Sequence, residues 1–257
     1  MRAATRAALA GIIAFGVVAG GLVGCGSTGG SVVAFDVAAA GVPGASLIEA
    51  AAGWHVTLSR ATLHIGAVYL NLAVPISGSQ ETSCILPGIY TAQELSGLDV
   101  DTLSTALQPF PAPATGTDDE ARTGEIWLTG GDVNADSDST VIADIAGTAS
   151  RGAQVLPFTA TVTISGRNRG IPPSDPAQPS AHPICKQRIV SPIPIDLRPR
   201  DGGTLAILID TASWFSAVDF TALPADGVLP DNNSNSASQN LFTGLRAAAA
   251  TFQLSFR

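Results

Sequence analysis

Oxygen-bearing side chains occupy every second position in one short segment of the chain. Asp132, Asn134, Asp136 and Asp138 follow directly after two glycines. Calcium takes about six to eight oxygen ligands in a flexible geometry, and a looped backbone can turn alternate side chains toward one ion. The spacing therefore makes this segment a candidate calcium site, and a solvated turn between two strands is the alternative.

The same segment resembles the first half of a calcium loop of the EF-hand or dockerin type. The resemblance implies that the four oxygen-bearing side chains are the ligands. The segment differs from that pattern at two positions, because Ser137 stands where the sharp turn takes glycine and Ala143 stands where a glutamate closes the shell. No flanking helix is predicted, so the solvated turn is favoured over calcium.

The chain has three histidines, and imidazole is the usual protein ligand for copper and zinc. His55 and His64 lie in one apolar stretch whose inward face changes parity between Leu58 and Leu63. A bulge near Arg60 would restore the register and place both histidines on the outward face. A copper or zinc site at His55 and His64 is one hypothesis, and solvated histidines without a metal are the simpler one.

The sequence lacks the familiar catalytic patterns: the G-x-S-x-G elbow, the phosphate loop with lysine, H-E-x-x-H and the dinucleotide fingerprint. Carboxylates that could act as a pair in glycoside hydrolysis occur at Asp99 and Asp101 and in residues 118–120. Carboxylates at a predicted helix start and in an exposed loop are common because they cap helices and favour solubility. The sequence favours a non-enzymatic role, with an unrecognised secreted-type hydrolase as an alternative.

Positive charge followed by a long apolar run distinguishes the N-terminal 24 residues. Arg2 and Arg6 precede an uncharged segment from Ala7 to Gly24, which is the arrangement of a secretory signal peptide. A retained transmembrane helix is the alternative. The segment would span only roughly 27 Å as a helix and is rich in glycine, so a permanent span is disfavoured.

The sequence Leu22-Val23-Gly24-Cys25 resembles the lipobox of bacterial lipoproteins. The resemblance implies that residues 1–24 are a cleaved signal peptide and that Cys25 carries acyl chains such as palmitate. Residues 25–30 would then be a flexible tether, because they are rich in glycine and serine. Two or three acyl chains hold a protein at a membrane for practical purposes permanently.

The predicted location is the bacterial cell envelope, with a membrane as the first partner. Gly26 stands where an aspartate would retain a lipoprotein in an inner membrane, so an outer membrane is expected if the source has one. The chain carries 13 basic and 21 acidic residues, a formal charge of −8. Because no stripe of Lys and Arg occurs, binding to nucleic acid is disfavoured.

Two further cysteines, Cys84 and Cys185, remain in a compartment where thiols oxidise. A pair of cysteines in an exported protein is most simply interpreted as one disulfide. Two buried, unpaired thiols are the alternative. A disulfide between them would close a loop of about 100 residues, for which the chain-entropy model gives roughly 4–5 kcal/mol.

Short apolar stretches separated by turn-rich ones predict an all-β fold. We expect residues 31–257 to form a single antiparallel β-sandwich-like domain of about nine strands with one or two short helices. The composition agrees, since 27 glycines and 17 prolines favour turns between strands. Residues 100–107 and 241–251 are the clearest helix candidates, and the alternation from Phe158 to Ile164 is the clearest strand.

Five aromatic residues could line a groove for a sugar or a peptide: Trp54, Tyr69, Tyr90, Trp127 and Trp214. Packing in the core is the favoured interpretation, because two of the tryptophans lie inside apolar runs. The sequence thus predicts a membrane-anchored envelope lipoprotein that acts as a non-enzymatic binding or structural module. It predicts no cofactor other than the weak calcium candidate, and a metal-binding protein and a hydrolase are the alternatives.

Overall fold

The computed structural model describes residues 30–73, 89–129, 138–164 and 188–257. These residues form mostly β-structure with three short α-helices. In chain order the strands are β1 (Val32–Gly41), β2 (Leu47–Glu49), β3 (His55–Ile65), β4 (Ala67–Asn71), β5 (Tyr90–Glu94), β6 (Leu98–Asp101), β7 (Gln108–Pro109), β8 (Ala114–Thr117), β9 (Ala121–Trp127), β10 (Val141–Arg151), β11 (Gln154–Thr163), β12 (Ile189–Leu197), β13 (Thr204–Ile209), β14 (Val228–Leu229) and β15 (Phe252–Phe256). The helices are α1 (Ala212–Phe215), α2 (Ser236–Leu245) and α3 (Ala248–Thr251), with single 3₁₀ turns at Ala51–Gly53 and Phe220–Ala222.

The larger sheet has nine strands in the order β12-β9-β4-β5-β8-β1-β13-β15, with β7 also paired to β1. Its first and last strands, β12 and β15, contact each other, so the sheet is nearly closed into a barrel. Across the interior, a Cβ at Gly124 would lie 2.8 Å from a methyl group of Leu254. A side chain at Gly124 would therefore require the Leu254 side chain to move aside.

The smaller sheet has six strands in the order β14-β11-β10-β3-β2, with β6 paired to β3. Its strands follow the sequence alternation closely: Phe158, Ala160 and Val162 of β11 are buried, whereas Thr159 and Thr161 are exposed. One hydrophobic cluster contains residues from both sheets and from the helices. The apolar faces of the two sheets thus share a common core.

The helices cover part of this core. Asn235 caps α2 by accepting a hydrogen bond from the Ser238 backbone N–H at 3.0 Å. Trp54 links the smaller sheet to the segment after α1, because its indole Nε1 donates to Asp219 Oδ1 at 3.1 Å and its ring meets the Phe220 ring edge-on. The helical segments contact β2 of the smaller sheet and β12 and β15 of the larger sheet, so they pack against both.

The predicted bulge in β3 is confirmed. The pairing with β10 passes from Leu58–Gly147 to Arg60–Ala146, so Ser59 is the additional residue. Ser59 and Arg60 are both exposed, whereas Leu58 and Ala61 on either side are buried. The bulge restores the inward face, and it leaves His55 and His64 outward as expected.

The β-rich class is confirmed, but the purely antiparallel arrangement is corrected. β1 pairs with β13 in parallel, and β11 pairs with β14 in parallel, so both sheets are mixed. Six short strands were not predicted: β2, β5, β6, β7, β8 and β14. The helix predicted over residues 100–107 is wrong, because that region holds the end of β6 and turns. Val100 pairs with Leu63 of β3, and this pairing outweighs the weak helical preference.

Candidate functional site

The outward face of β4, β5 and β9 in the larger sheet carries an unusual set of side chains. Val68 and Leu70 of β4 point into the common core, so Tyr69 and Asn71 point to the opposite face. The neighbouring strand β9 behaves in the same way, with Ile126 in the core and Glu125 and Trp127 on the opposite face. Polar and aromatic residues therefore meet on the side of the sheet that faces away from the core.

The strand register brings these residues together in pairs. Tyr69 lies opposite Glu125, Asn71 lies opposite Thr123, and Ala67 lies opposite Trp127. On the other side of β4, Tyr90 of β5 lies opposite Asn71. Directly opposed residues have Cβ atoms about 4.5–5.5 Å apart, so their side chains are in reach of one another. The set is called the outer-face cluster below and consists of Tyr69, Asn71, Tyr90, Thr123, Glu125 and Trp127.

Glu125 is the centre of the outer-face cluster. Its carboxylate is fully buried and accepts hydrogen bonds from Asn71 Nδ2 at 3.1 Å and from Trp127 Nε1 at 3.2 Å. Burial raises the pKa of this carboxyl, and the two hydrogen bonds oppose that rise without cancelling it. None of the described Arg or His side chains forms an ion pair with Glu125.

Three aromatic rings form a row beside this carboxylate. The Tyr90 and Tyr69 ring centroids are 5.0 Å apart, and the Tyr69 and Trp127 centroids are 4.9 Å apart. Tyr90 is 37% exposed, whereas Trp127 is buried, so the row runs from the surface inward. Burial and then the charge of Glu125 raise the pKa of Tyr69, and the same causes together with Tyr69 raise the pKa of Tyr90 to about 12. Both tyrosines are therefore neutral hydroxyl groups at ordinary pH.

Two buried polar atoms of the outer-face cluster lack a hydrogen-bond partner. They are Asn71 Oδ1 and Thr123 Oγ1, which belong to residues paired across β4 and β9. Both residues are fully buried. A buried polar atom without a partner destabilises the folded state by about 1–3 kcal/mol. Both oxygens are therefore acceptors left without a donor within the outer-face cluster.

A concave region, separate from the outer-face cluster, lies where the helices meet the smaller sheet. This groove has a volume of about 480 Å³ and holds two carboxylates, Glu49 and Asp210. Both carboxylates are engaged, because Glu49 Oε1 bonds His55 Nδ1 and Asp210 Oδ1 accepts from the Ala212 backbone N–H. The Ser213 hydroxyl in the groove donates to the Asp210 carbonyl and lies 2.6 Å from Thr251 Oγ1. No catalytic base contacts Ser213 in the described part of the chain.

The two histidines predicted as metal ligands do not come together. His55 Nδ1 lies 2.7 Å from Glu49 Oε1, and His64 Nδ1 lies 2.6 Å from Asp99 Oδ1. Nine positions separate them along β3, which corresponds to roughly 25–30 Å. Within the residues that the structure describes, no group of three His, Cys, Asp or Glu side chains is arranged to hold a metal ion. His55 and His64 thus belong to two separate exposed pairs with carboxylates.

Only the last residue of the predicted calcium segment is described. Asp132, Asn134 and Asp136 lie outside the described residues, as do Cys25, Cys84 and Cys185. Asp138 Oδ1 accepts from the Thr140 backbone N–H at 3.0 Å, and Asp138 Oδ2 lies 3.5 Å from the buried guanidinium of Arg188. Burial raises the pKa of Asp138, but hydrogen bonds from Thr140 and Thr129 and the charge of Arg188 bring it below its usual value. A cation at Asp138 would have to share that carboxylate with Arg188.

The five aromatic residues divide between the two sides of the larger sheet. Trp54 and Trp214 are buried in the common core, as the favoured interpretation predicts. Trp127 packs with Ala67, Ile189 and Tyr69 in a separate cluster. Sequence reasoning missed Glu125, because an acidic residue in an alternating strand is normally solvent-exposed. The clue lies in its position along β9, because Thr123, Glu125 and Trp127 are two residues apart and therefore share one face of the strand.

No family model matches the chain, and no curated protein or solved structure is detectably similar to it. No helix of the described segments combines the length and the apolar character needed to cross a bilayer. The role of each residue therefore follows from its contacts and its chemistry.

Proposed function

We propose that this chain is a lipid-anchored protein of the bacterial cell envelope whose folded body is a non-enzymatic binding module. We place its binding surface at the outer-face cluster. The anchor is Cys25, after cleavage of residues 1–24, and the membrane is the outer one in a source that has two. The fold is a two-sheet β-structure in which the larger sheet is mixed and nearly closed.

The anchor is supported by the resemblance of residues 22–25 to a lipobox and by the position of the first strand. β1 begins at Val32, seven residues after Cys25. Seven extended residues reach at most about 25 Å. A tether of this length would hold the folded body close to the membrane surface.

The outer-face cluster carries the proposal for binding. A glutamate is rarely fully buried unless it is paired, and a buried carboxylate whose pKa is shifted by its surroundings is a candidate functional group. Glu125 is fully buried there beside a row of aromatic rings whose outer member, Tyr90, is 37% exposed, and two polar atoms on the paired residues Asn71 and Thr123 lack partners. A small number of placed polar groups beside aromatic surface is the usual composition of a small-molecule site.

The anchor is tested by expressing the full chain in a bacterial host that processes lipoproteins. Cys25→Ser is the test variant and Ser27→Ala is the matched control. Wild type and Ser27→Ala are expected in the membrane fraction, with a mass that matches cleavage before residue 25 and added acyl chains. Cys25→Ser should keep residues 1–24 and carry no lipid. Unlipidated wild-type protein in the soluble cell extract would overturn the anchor.

The binding module is tested by thermal unfolding against a panel of small sugars, amines, amino acids and peptides. Tyr69→Ala removes the central ring of the aromatic row, and Thr57→Ala alters an exposed position of β3 as the matched control. At least one compound class is expected to raise the Tm of wild type and Thr57→Ala but not of Tyr69→Ala. If every class leaves the three proteins unchanged, or stabilises Tyr69→Ala equally, the binding proposal is wrong.

A further inference from the structure

We propose that the outer-face cluster binds a small organic ammonium ion, with Glu125 as its counter-ion and Asn71 Oδ1 and Thr123 Oγ1 as acceptors for its N–H groups. This inference rests on the proposed binding function and names the chemical class of the ligand. A primary alkylammonium is the simplest member of that class.

The charge of Glu125 is the first argument. An ionised carboxylate in a buried site needs an opposite charge or several hydrogen bonds. Glu125 receives two hydrogen bonds from neutral donors, and none of the described cationic side chains pairs with it. A ligand cation would supply the missing charge. The formal charge of −8 on the whole chain also favours the approach of cations.

The number of free acceptors is the second argument. A primary ammonium has three N–H donors, as the head group of lysine does. The outer-face cluster offers three acceptors: a Glu125 oxygen, which can accept a second bond, Asn71 Oδ1 and Thr123 Oγ1. Asn71 lies between Glu125, to which its amide nitrogen donates, and Thr123, which is its partner across the strands. The number of N–H donors on one primary ammonium therefore equals the number of acceptors that these three neighbouring residues offer.

The aromatic row is the third argument. The faces of Trp and Tyr rings attract cations within about 6 Å of the ring centre. Tyr69 is tilted by 47° to Trp127 and by 51° to Tyr90, so the rings form angled walls rather than one flat platform. Trp127 is buried and does not offer an exposed face for stacking a sugar ring. Angled walls suit a compact cation better than a flat polyol.

The surface beside Tyr90 suits the apolar part of such a ligand. Tyr90 lies at the outer end of the row and is 37% exposed, so its ring offers apolar surface to a ligand there. We therefore assign the ammonium group to the inner end, at Glu125, and the alkyl chain to the outer end, at Tyr90.

The test is isothermal titration of the purified full-length protein with n-butylammonium chloride at pH 7. Glu125→Gln removes the charge but keeps the shape, and Asn71 can turn its amide to preserve their hydrogen bond. Glu49→Gln is the matched control, because Glu49 is an exposed carboxylate that lines the groove near the helices. Wild type and Glu49→Gln should bind equally, and Glu125→Gln should bind about tenfold more weakly or not at all.

Thr123→Val provides a second variant, because it replaces one acceptor with a methyl group of similar size. It should weaken n-butylammonium binding and leave tetramethylammonium binding unchanged, since the latter ion has no N–H donor. Neutral 1-butanol should not bind any of the proteins. Binding should also strengthen as the pH rises above the ordinary pKa of a glutamate, because ionisation of Glu125 is required.

Three results would overturn the inference: equal binding of n-butylammonium to wild type and Glu125→Gln, loss of binding in Glu49→Gln only, or no binding to wild type. A sugar that stabilises wild type but not Tyr69→Ala, in the absence of amine binding, would overturn the ammonium assignment and leave the binding function standing. If no compound class stabilises the protein, the broader proposal is the one that is wrong.

Discussion

Glu125 shows how one residue can set the chemistry of a whole face. Thr123, Glu125 and Trp127 occupy every second position of β9 and so share one face. Polar residues at every second position are typical of a strand with one solvated side. The structure instead buries Glu125 completely, with hydrogen bonds from Asn71 and Trp127. The sequence indicates which face Glu125 occupies, but burial depends on residues far away in the chain. The candidate site was therefore only partly predictable, through its aromatic members.

At this scale the pH dependence of stability gives a test that needs no ligand. Folding raises the pKa of Glu125, so the folded state holds a proton that the unfolded state loses first. The contribution of this group is then fully present below the unfolded pKa near 4.5 and is lost as the pH rises through the higher folded pKa. Each unit by which the folded pKa of Glu125 exceeds the unfolded pKa lowers the free energy of unfolding at neutral pH, relative to low pH, by about 1.4 kcal/mol.

We therefore expect Glu125→Gln to gain stability relative to wild type as the pH rises from 4.5 toward 7. Chemical denaturation of both proteins over this range measures the difference. Glu49→Gln, at an exposed carboxylate, is the control for removal of a carboxylate charge at the surface. A constant difference between Glu125→Gln and wild type at every pH would mean that Glu125 titrates normally in the folded protein.

Individual strands are the level at which the sequence was most informative. Eight strand regions were predicted from short apolar stretches between turns, and the change of parity between Leu58 and Leu63 located the bulge in β3. The shorter strands escaped prediction because two to five residues carry too little pattern. β6 shows the limit most clearly, since its strand conformation depends on pairing of Leu98–Asp101 with the far end of β3.

The bulge predicts that deletions within β3 have opposite consequences. Ser59 is the additional residue, so deleting it leaves Leu58, Arg60 and Ala61 in regular alternation opposite Gly147, Ala146 and Ile145. The fold should survive. Deleting Thr62 has no such escape, because Leu63 and Ile65 would turn outward and lose burial that stabilises the fold by about 1.5–3 kcal/mol for each side chain.

Circular dichroism and thermal unfolding of the two deletion variants measure this contrast. We expect a cooperative transition for the Ser59 deletion and an aggregated or unfolded product for the Thr62 deletion. Ser59→Ala serves as the control for loss of the side chain alone and should remain close to wild type, because Ser59 is exposed. Equal damage from both deletions would show that the bulge has a structural role beyond its register.

For the whole molecule, the closure of the larger sheet explains why its architecture was not predictable. β1 pairs with β8 and with β13, and the β13 pairing is parallel and joins residues about 170 positions apart in the chain. Alternation with a period of two fixes which side of a strand is buried but says nothing about the partner or its direction. The expectation of antiparallel pairing followed from the spacing of short apolar stretches between turns, whereas the long-range pairings of β1 with β13 and of β11 with β14 are parallel.

The proposed envelope location makes a final prediction about the covalent state of the chain. Cys84 and Cys185, both outside the described residues, are expected to form one disulfide in the mature protein. Reduction should then lower the free energy of unfolding by up to roughly 4–5 kcal/mol, because it reopens a loop of about 100 residues in the unfolded chain. Wild type should lose stability on reduction, and Cys84→Ser should be insensitive to it.

Under non-reducing conditions, alkylation should label neither Cys84 nor Cys185, and reduction should add the mass of two hydrogen atoms. Two readily alkylated thiols in protein isolated from the envelope would argue against the disulfide. The apolar core shared by both sheets would then stabilise the fold without a covalent link.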